Sequence, residues 1–344
     1  MIYIQKYRLN SYLMTKTVLI ALILLSINSY SEEKTALFDE FTAKHTCNIN
    51  FNDKFALSSY SDEWFHVYKT HNNVYSIVEP YQYQESISHL IIGENKALLF
   101  DTGIGLIPIR PIIKKITNLP IIVLHSHTHF DHVGGNWEFS DVRAIETSYT
   151  KANMNGFENK RIGQDFTDDS FCKDPPKNID LNNIYTKEWK ASSYIKNKDI
   201  IDLGNRKIEI LHVPGHTPDA LALLDKDQRL LFTGDTYYDA ELWLYVPETN
   251  LDNYQNSIDR LVQIESKVDY IFGAHRTVRV DSGVLIKTKK ALLKLRSAEY
   301  VSDKNDQGKQ LFITIDGIDF VTALPVLEGK QGDTSKGGSG YDTW

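Results

Sequence analysis

Five short apolar runs in this chain each end in an aspartate or a histidine flanked by glycine. Ala97-Leu98-Leu99-Phe100 runs into Asp101-Thr102-Gly103, and Pro120-Ile121-Ile122-Val123-Leu124 runs into a histidine-rich loop that closes on Gly134-Gly135. Lys207 to Val213 leads to Pro214-Gly215-His216, Leu230 to Thr233 leads to Gly234-Asp235, and Tyr270-Ile271-Phe272 leads to Gly273-Ala274-His275. Runs of this length and polarity read as buried strands, and the residues after them as loops at the strand ends. Taken singly, a Gly-Asp after a strand is a turn and a histidine is a satisfied core residue. Five in one order form a specific pattern. Periodicity alone says only that the fold mixes α and β.

The densest of these loops is His125-Ser126-His127-Thr128-His129-Phe130-Asp131-His132. Neutral imidazole and carboxylate together suit zinc and neighbouring transition metals. Alternate residues at a strand end point the same way, so His127 and His129 can share one ion. Asp131 and His132 lie beyond the strand, where the chain has turned, and can face a second ion. His125 precedes the cluster and reads as a packed histidine.

The order Asp101, His127-x-His129-x-Asp131-His132, His216, Asp235, His275 resembles the metallo-β-lactamase-fold hydrolase superfamily, over roughly Val74 to His275. The fold this implies is a four-layer αββα sandwich. By the resemblance, His127, His129 and His216 hold the first metal, Asp131, His132 and His275 hold the second, and the Asp235 carboxylate bridges them. Asp101 resembles the buried aspartate that anchors the far nitrogen of a ligand imidazole. Zinc β-lactamases usually carry Cys or Ser where this chain has Asp235. A bridging Asp is typical of glyoxalase-II-like thioesterases, quorum-quenching lactonases and related acyl hydrolases. Flavodiiron oxidoreductases usually place Glu where this chain has His129.

The activity so implied is hydrolysis of a lactone, ester or thioester by a hydroxide that bridges two divalent ions, zinc ahead of manganese or iron. Asp131 or Asp235 would handle the proton. Tyr238, three residues past Asp235, resembles a tyrosine that faces the substrate carbonyl in the lactonases and an acyl-thioester-hydrolysing branch. Tyr237 is an alternative for that role, and packing for shape is another reading. Two further functions stay open: a secreted zinc β-lactamase, and an iron-dependent oxidoreductase of the sulfur dioxygenase type.

At 344 residues and 42% hydrophobic content the chain can build one sizeable core. Its net charge of −7, with no basic run interleaved with aromatics, argues against nucleic acid as a partner, and the resemblance implies a small-molecule substrate. Lys16, the apolar run Val18 to Leu25, and small Ser29 and Ser31 have the layout of a signal peptide over 1–31. That run is shorter than the ~20 apolar residues a bilayer span needs. Export to a periplasm, with no stable membrane anchor after cleavage, is therefore expected. Met14 is an alternative start. In an exported chain Cys47 and Cys172 can form one disulfide. Metal identity, exact substrate and oligomeric state are not legible.

The expected layout is a signal over 1–31, an N-terminal segment over 32–54, one metallo-hydrolase domain over 55–328 and a flexible Gly/Ser-rich tail over 329–344. Residues 149–194 form a polar insertion, read as loops and short helices beside the active-site mouth. Phe166, Phe171 and Trp189 are candidate pocket walls there, with simple core packing as the alternative. Hairpins are expected over 65–78, 86–100 and 311–322, the last through a type I′ turn at Asp316-Gly317. Helices are expected over 105–117, 250–266 and 283–295. The second is expected to open on a capping box, Thr249-x-x-Asp252.

Overall fold

In the computed structural model, residues 54–175, 177, 179–298, 303–304 and 310–340 are described. The proposed signal peptide and Cys47 lie outside them. Cys172 is disulfide-bonded.

The first sheet runs in chain order through β1 (His66–His71), β2 (Val74–Val78), β3 (Ile87–Ile92), β4 (Ala97–Phe100), β5 (Ile121–Leu124), β6 (Val142–Ile145) and β7 (Ser193–Ile195). It begins as antiparallel hairpins and turns parallel from β4 onward. The second sheet contains β8 (Ile200–Asp202), β9 (Lys207–His212), β10 (Leu221–Asp225) and β11 (Leu230–Gly234). After β12 (Leu242–Leu244), the chain returns to that sheet as β13 (Tyr270–Gly273) and β14 (Val280–Asp281), in the order β14-β13-β11-β10-β9-β8. A smaller third sheet pairs β12 with β17 (Ile318–Thr322), β16 (Leu311–Ile315) and β15 (Asp303–Lys304).

The layers follow from side-chain alternation. Leu98, Phe100, Ile122 and Leu124 of the first sheet share one buried cluster with Ile208, Ile210, Leu223, Leu230, Phe232 and Phe272 of the second. Their neighbours Ala97, Leu99 and Val123 point the other way, into a core with Ile112 and Ile113 of helix α1 (Arg110–Ile116). On the far side, Ala222, Leu224, Leu231 and Ile271 pack with Tyr254, Ile258, Leu285 and Leu292. Burial on both faces explains why four of the five runs are continuously apolar, whereas β9, with Lys207 exposed and Glu209 half-buried, alternates. The result is the αββα sandwich.

Short helices α2 (Phe130–Val133), α3 (Ser148–Asn153) and α4 (Asn159–Ile162) follow in the middle of the chain, with α5 (Leu251–Ile264), α6 (Val284–Arg296) and α7 (Leu324–Leu327) toward its end. Pro111 sits in the first turn of α1, where its missing N–H costs nothing. Helix α5 differs from expectation at its start. Asn250, not Thr249, is the N-cap, its side chain accepting from Asn253 N. Thr249 Oγ1 instead donates to the backbone O of His216 at 3.2 Å, tying the helix start to a site loop. The 316–317 turn has φ of 53° and 72° at its two residues, as type I′ requires. Phe166, Phe171 and Trp189 are buried in the outer core of the first sheet rather than lining a pocket. Within the stretch read as a tail, residues 329–331, 333, 335 and 336 are exposed and 338–340 are buried.

Candidate metal centre

Strands β4 and β5 are parallel neighbours, so the loops after them leave from the same edge of the first sheet. In the second sheet β11 and β13 are parallel, and β9 shares their direction because β10 runs antiparallel to both β9 and β11. All five polar strand ends therefore open onto one rim, where the loops of the two sheets meet.

The β5 strand stops at Leu124, so His127 and His129 lie in the loop and not on the strand end. Extended backbone at His129, φ −66° and ψ 156°, keeps the two rings on one side and makes His129 the N-cap position of α2. In α2, Phe130 and Val133 are three apart and buried in the outer core, which leaves Asp131 and His132 to the rim. Gly234 lets β11 deliver Asp235. Its φ is +52°, and a Cβ there would sit 2.2 Å from that of Ser126.

His127 Nε2 and His129 Nδ1 are 2.9 Å apart, and His216 Nε2 lies 3.2 and 3.3 Å from them. Three ligand nitrogens about 2.0–2.1 Å from a tetrahedral ion would be ~3.4 Å apart. The second group is Asp131, His132 and His275. Asp131 Oδ2 is 3.2 Å from His132 Nε2 and 3.5 Å from His275 Nε2. Asp235 reaches both groups, with Oδ1 3.2 Å from His275 Nε2, and Oδ2 3.6 Å from both His216 Nε2 and His132 Nε2. His132 Nε2 and Asp235 Oδ1 are buried yet make no hydrogen bond of acceptable geometry. Buried polar atoms without partners are rare unless something else satisfies them. The donor set and these two atoms fit the binding of divalent metal.

The far nitrogen of each imidazole is also held, which fixes ring orientation and tautomer. His132 Nδ1 lies 3.1 Å from Asp101 Oδ2, and Ser126 N donates to Asp101 Oδ1 at 2.5 Å. Asp101 itself has a φ of +67°, a strained geometry for a residue other than glycine. His216 Nδ1 donates to Trp243 O at 2.8 Å and His275 Nδ1 to Gln84 O at 2.7 Å. His127 Nδ1 is 3.1 Å from Ser126 Oγ. His129 Nε2 lies 3.0 Å from Glu248 Oε1, which also accepts from Tyr149 Oη at 3.0 Å. Glu248 and Tyr149 escaped the reading of the sequence. Glu248 sits in a Pro-containing loop just before a helix cap, where no local pattern marks it.

Burial and charge pull the site's groups apart. Burial, helped by His132 and His129, drives the His127 imidazole well below the usual histidine range. Burial lowers His216 to about 4. Burial works against a charged His132, but Asp131, Asp235 and Asp101 outweigh it and raise that imidazole well above the usual range. Burial likewise pushes the Asp235 carboxyl up, while His275 and His132 overcome this and hold it well below the carboxylate range. His125 stays outside the cluster. Its ring packs 5.0 Å from Trp189, its Nδ1 is 3.3 Å from Asn136 Nδ2, and burial lowers it to about 3.

Tyr238 stands beside the site, its ring 5.1 Å from that of His275. Its hydroxyl donates to the backbone O of Glu241. Tyr237 is buried in the core beneath the second sheet. The cleft over the metal centre is walled by Tyr83, Trp243 and Tyr245, with Arg276 at one side paired to Glu85 at 3.3 Å.

Known proteins carry related chains. The human acyl-coenzyme A thioesterase MBLAC2 is 26% identical over 219 residues, covering 58% of this chain and 78% of that protein. The solved structure of the DIM-1 metallo-β-lactamase superposes with a TM-score of 0.50 at 15% identity, covering 68% of this chain and 99% of that one. The sec-alkylsulfatase Pisa1 from Pseudomonas sp. gives a TM-score of 0.50 at 14% identity, covering 67% of this chain and 42% of that one. A sequence model of the metallo-beta-lactamase superfamily matches residues 86–296, the segment that carries the whole histidine and aspartate cluster. The chain belongs to that superfamily, and it is a metal-dependent hydrolase.

Proposed function

We propose that this hydrolase holds two divalent ions, zinc ahead of manganese or iron, and cleaves acyl bonds of a lactone, ester or thioester. The observation that carries the reading is the position of Asp235, whose Oδ2 lies 3.6 Å from His216 Nε2 of one group and from His132 Nε2 of the other, with Oδ1 3.2 Å from His275 Nε2. The thioesterase name of the human relative supports the acyl class.

Bound cations would supply a polarised carbonyl and a water that is acidic near neutral pH. His127, His129 and His216 would hold one ion, and Asp131, His132 and His275 the other. Asp235 or Asp131, both buried, would accept a proton. Tyr83, Trp243 and Tyr245 offer flat apolar walls for the acyl part of a substrate. A Tyr238 that donates to the developing oxyanion would first have to release Glu241 O. We also read the N-terminal run as an export signal. Fractionation of cells that make the full chain tests it, and a purely cytosolic, uncleaved product would refute it.

The deciding experiment loads metal-free protein with zinc, manganese or iron and offers it a chromogenic lactone, thioester, aryl ester and cephalosporin. Zinc-dependent turnover of the first three is expected. Preferential cephalosporin cleavage would favour a β-lactamase, and oxygen consumption on the iron form an oxidoreductase. Fully metal-loaded protein that hydrolyses no acyl bond would overturn the proposal.

A further inference from the structure

The Gly/Ser-rich C-terminal stretch runs back to the first metal cluster. Gln331 Nε2 donates to the backbone O of Glu248 at 2.9 Å, and Gly332 N donates to that of Pro247 at 2.7 Å. Further along, Asn153 Nδ2 donates to Gly338 O and Gly338 N donates to Asn153 Oδ1, each at 3.0 Å. Tyr149 Oη lies 3.0 Å from Gly338 O and 3.0 Å from Glu248 Oε1, so one hydroxyl joins the stretch to the carboxylate that holds His129. Gly340 finishes against the His129 ring. A Cβ there would lie 3.2 Å from Nδ1, the nitrogen that faces His127 and His216. Tyr245 Oη donates to Gly340 O at 3.3 Å, on the wall of the cleft.

A solvated tail would leave its peptide groups to water. Here Gly338 finds the buried side chains of Asn153 and Tyr149 on α3, and Gly332 N finds the backbone O of Pro247 in the 247–248 loop. The contact is also tight. A Cβ on Gly338 would fall 2.1 Å from Glu248 Oε1 and 2.8 Å from Tyr149 Oη. A methyl group at 338 must therefore move the carboxylate, and with it the anchor of His129 Nε2. Among the described residues the second metal group has no such link, its imidazoles being held by Asp101 and Gln84.

We propose that residues 331–340 are a strap that completes the first metal subsite: they position His129 through Glu248 and Tyr149, and the Gly340 backbone forms one wall of the substrate cleft. The inference rests on the dinuclear reading above. Glu248, Tyr149 and Gly338 act here as positioning residues, through His129.

The test titrates metal-free full-length protein with zinc against a chromophoric chelator, so that the readout is affinity and not turnover. Loss of an outer partner of a ligand imidazole costs about 10–100-fold in metal affinity. Gly338→Ala should weaken one of the two zinc affinities by about that factor and leave the other within about threefold. A chain ending at Lys330 should do the same or more, and the cobalt-loaded forms should show an altered visible spectrum for one ion only. Gly340→Ala, whose Cβ would press on the His129 ring, should likewise weaken one zinc affinity, and should raise KM for bulky acyl substrates more than for small ones. Lys336→Ala, whose side chain is 82% exposed, should change nothing. If the shortened chain loses its near-UV circular dichroism, the two glycine variants decide. Strap variants that bind both ions with wild-type affinity would overturn the strap alone. A wild-type protein that binds no pair of ions would remove the dinuclear reading and the strap together.

Discussion

The two halves of the metal centre are equally buried and electrostatically opposite. One is made of three imidazoles, with His127 and His216 pulled low by burial and so neutral. The other sets His132 and His275 against Asp131 and Asp235, with the imidazoles raised and the carboxyls lowered. Depth alone therefore does not decide charge here. Glu79 is the internal control. It is as deeply buried, it accepts from Trp64 Nε1 at 3.0 Å and Ile104 N at 2.8 Å, and it has no imidazole beside it. Burial pushes its carboxyl up to about 7. His132 and His275 outweigh burial at Asp131 and Asp235, burial prevails at Glu79, where the hydrogen-bond donors are neutral, and it also prevails at Asp101 in spite of His132.

Asp235→Ala should break the comparison most completely, because it removes the group the halves share. Metal analysis is expected to show loss of at least one bound ion, and acyl hydrolysis should fall below detection. Retained turnover in a variant with quantified metal would refute the bridging role. Next come the two outer anchors. Glu248→Ala should weaken the three-imidazole subsite, and Asp101→Ala the mixed one, each by about 10–100-fold. Competition titrations on the two variants should therefore lose different ions, and loss of the same ion in both would show that the halves are not separable.

Glu79 sharpens the comparison through pH. Its folded value of about 7 lies above the ordinary 4.5, so the folded state binds the proton more tightly. The associated stability is full below pH ~4.5 and is lost as pH rises through ~7, amounting to about 3 kcal/mol. Urea unfolding at pH 5 and pH 8 should thus show a smaller pH gap for Glu79→Gln than for the wild type, and an unchanged gap would contradict the assignment. The smallest effect is expected at Tyr238→Phe. With its hydroxyl engaged by Glu241 O, turnover should fall by less than the ~100-fold typical of a lost oxyanion donor. A fall of that size on kcat would place the hydroxyl on the reacting carbonyl.

Much of this centre was legible in order and spacing. His127, His129, Asp131 and His132 fall within six positions, and His216, Asp235 and His275 each follow an apolar run, so strand periodicity already put them in loops. Helix α5 was legible from its apolar face. Its cap was not, because Thr249 and Asn250 are both competent caps and only the approach of the His216 loop claims the threonine. For Trp189 the sequence leaves a pocket wall and core packing both open, and the structure places it in the core, since an aromatic in a polar insertion carries no mark of which side it faces.

Local chemistry thus belongs to the sequence: which side chains can bind a cation, and at which strand ends they stand. Periodicity and short spacing are properties of neighbours in the chain, and they survive without knowledge of the fold. Tertiary structure alone decided that Glu248 holds His129 across 119 positions, and that a glycine-rich end lies against the same ring. Such contacts depend on how the layers stack and where loops cross, and a carboxylate in a loop or a run of glycines looks the same in sequence whether it faces water or a metal ligand.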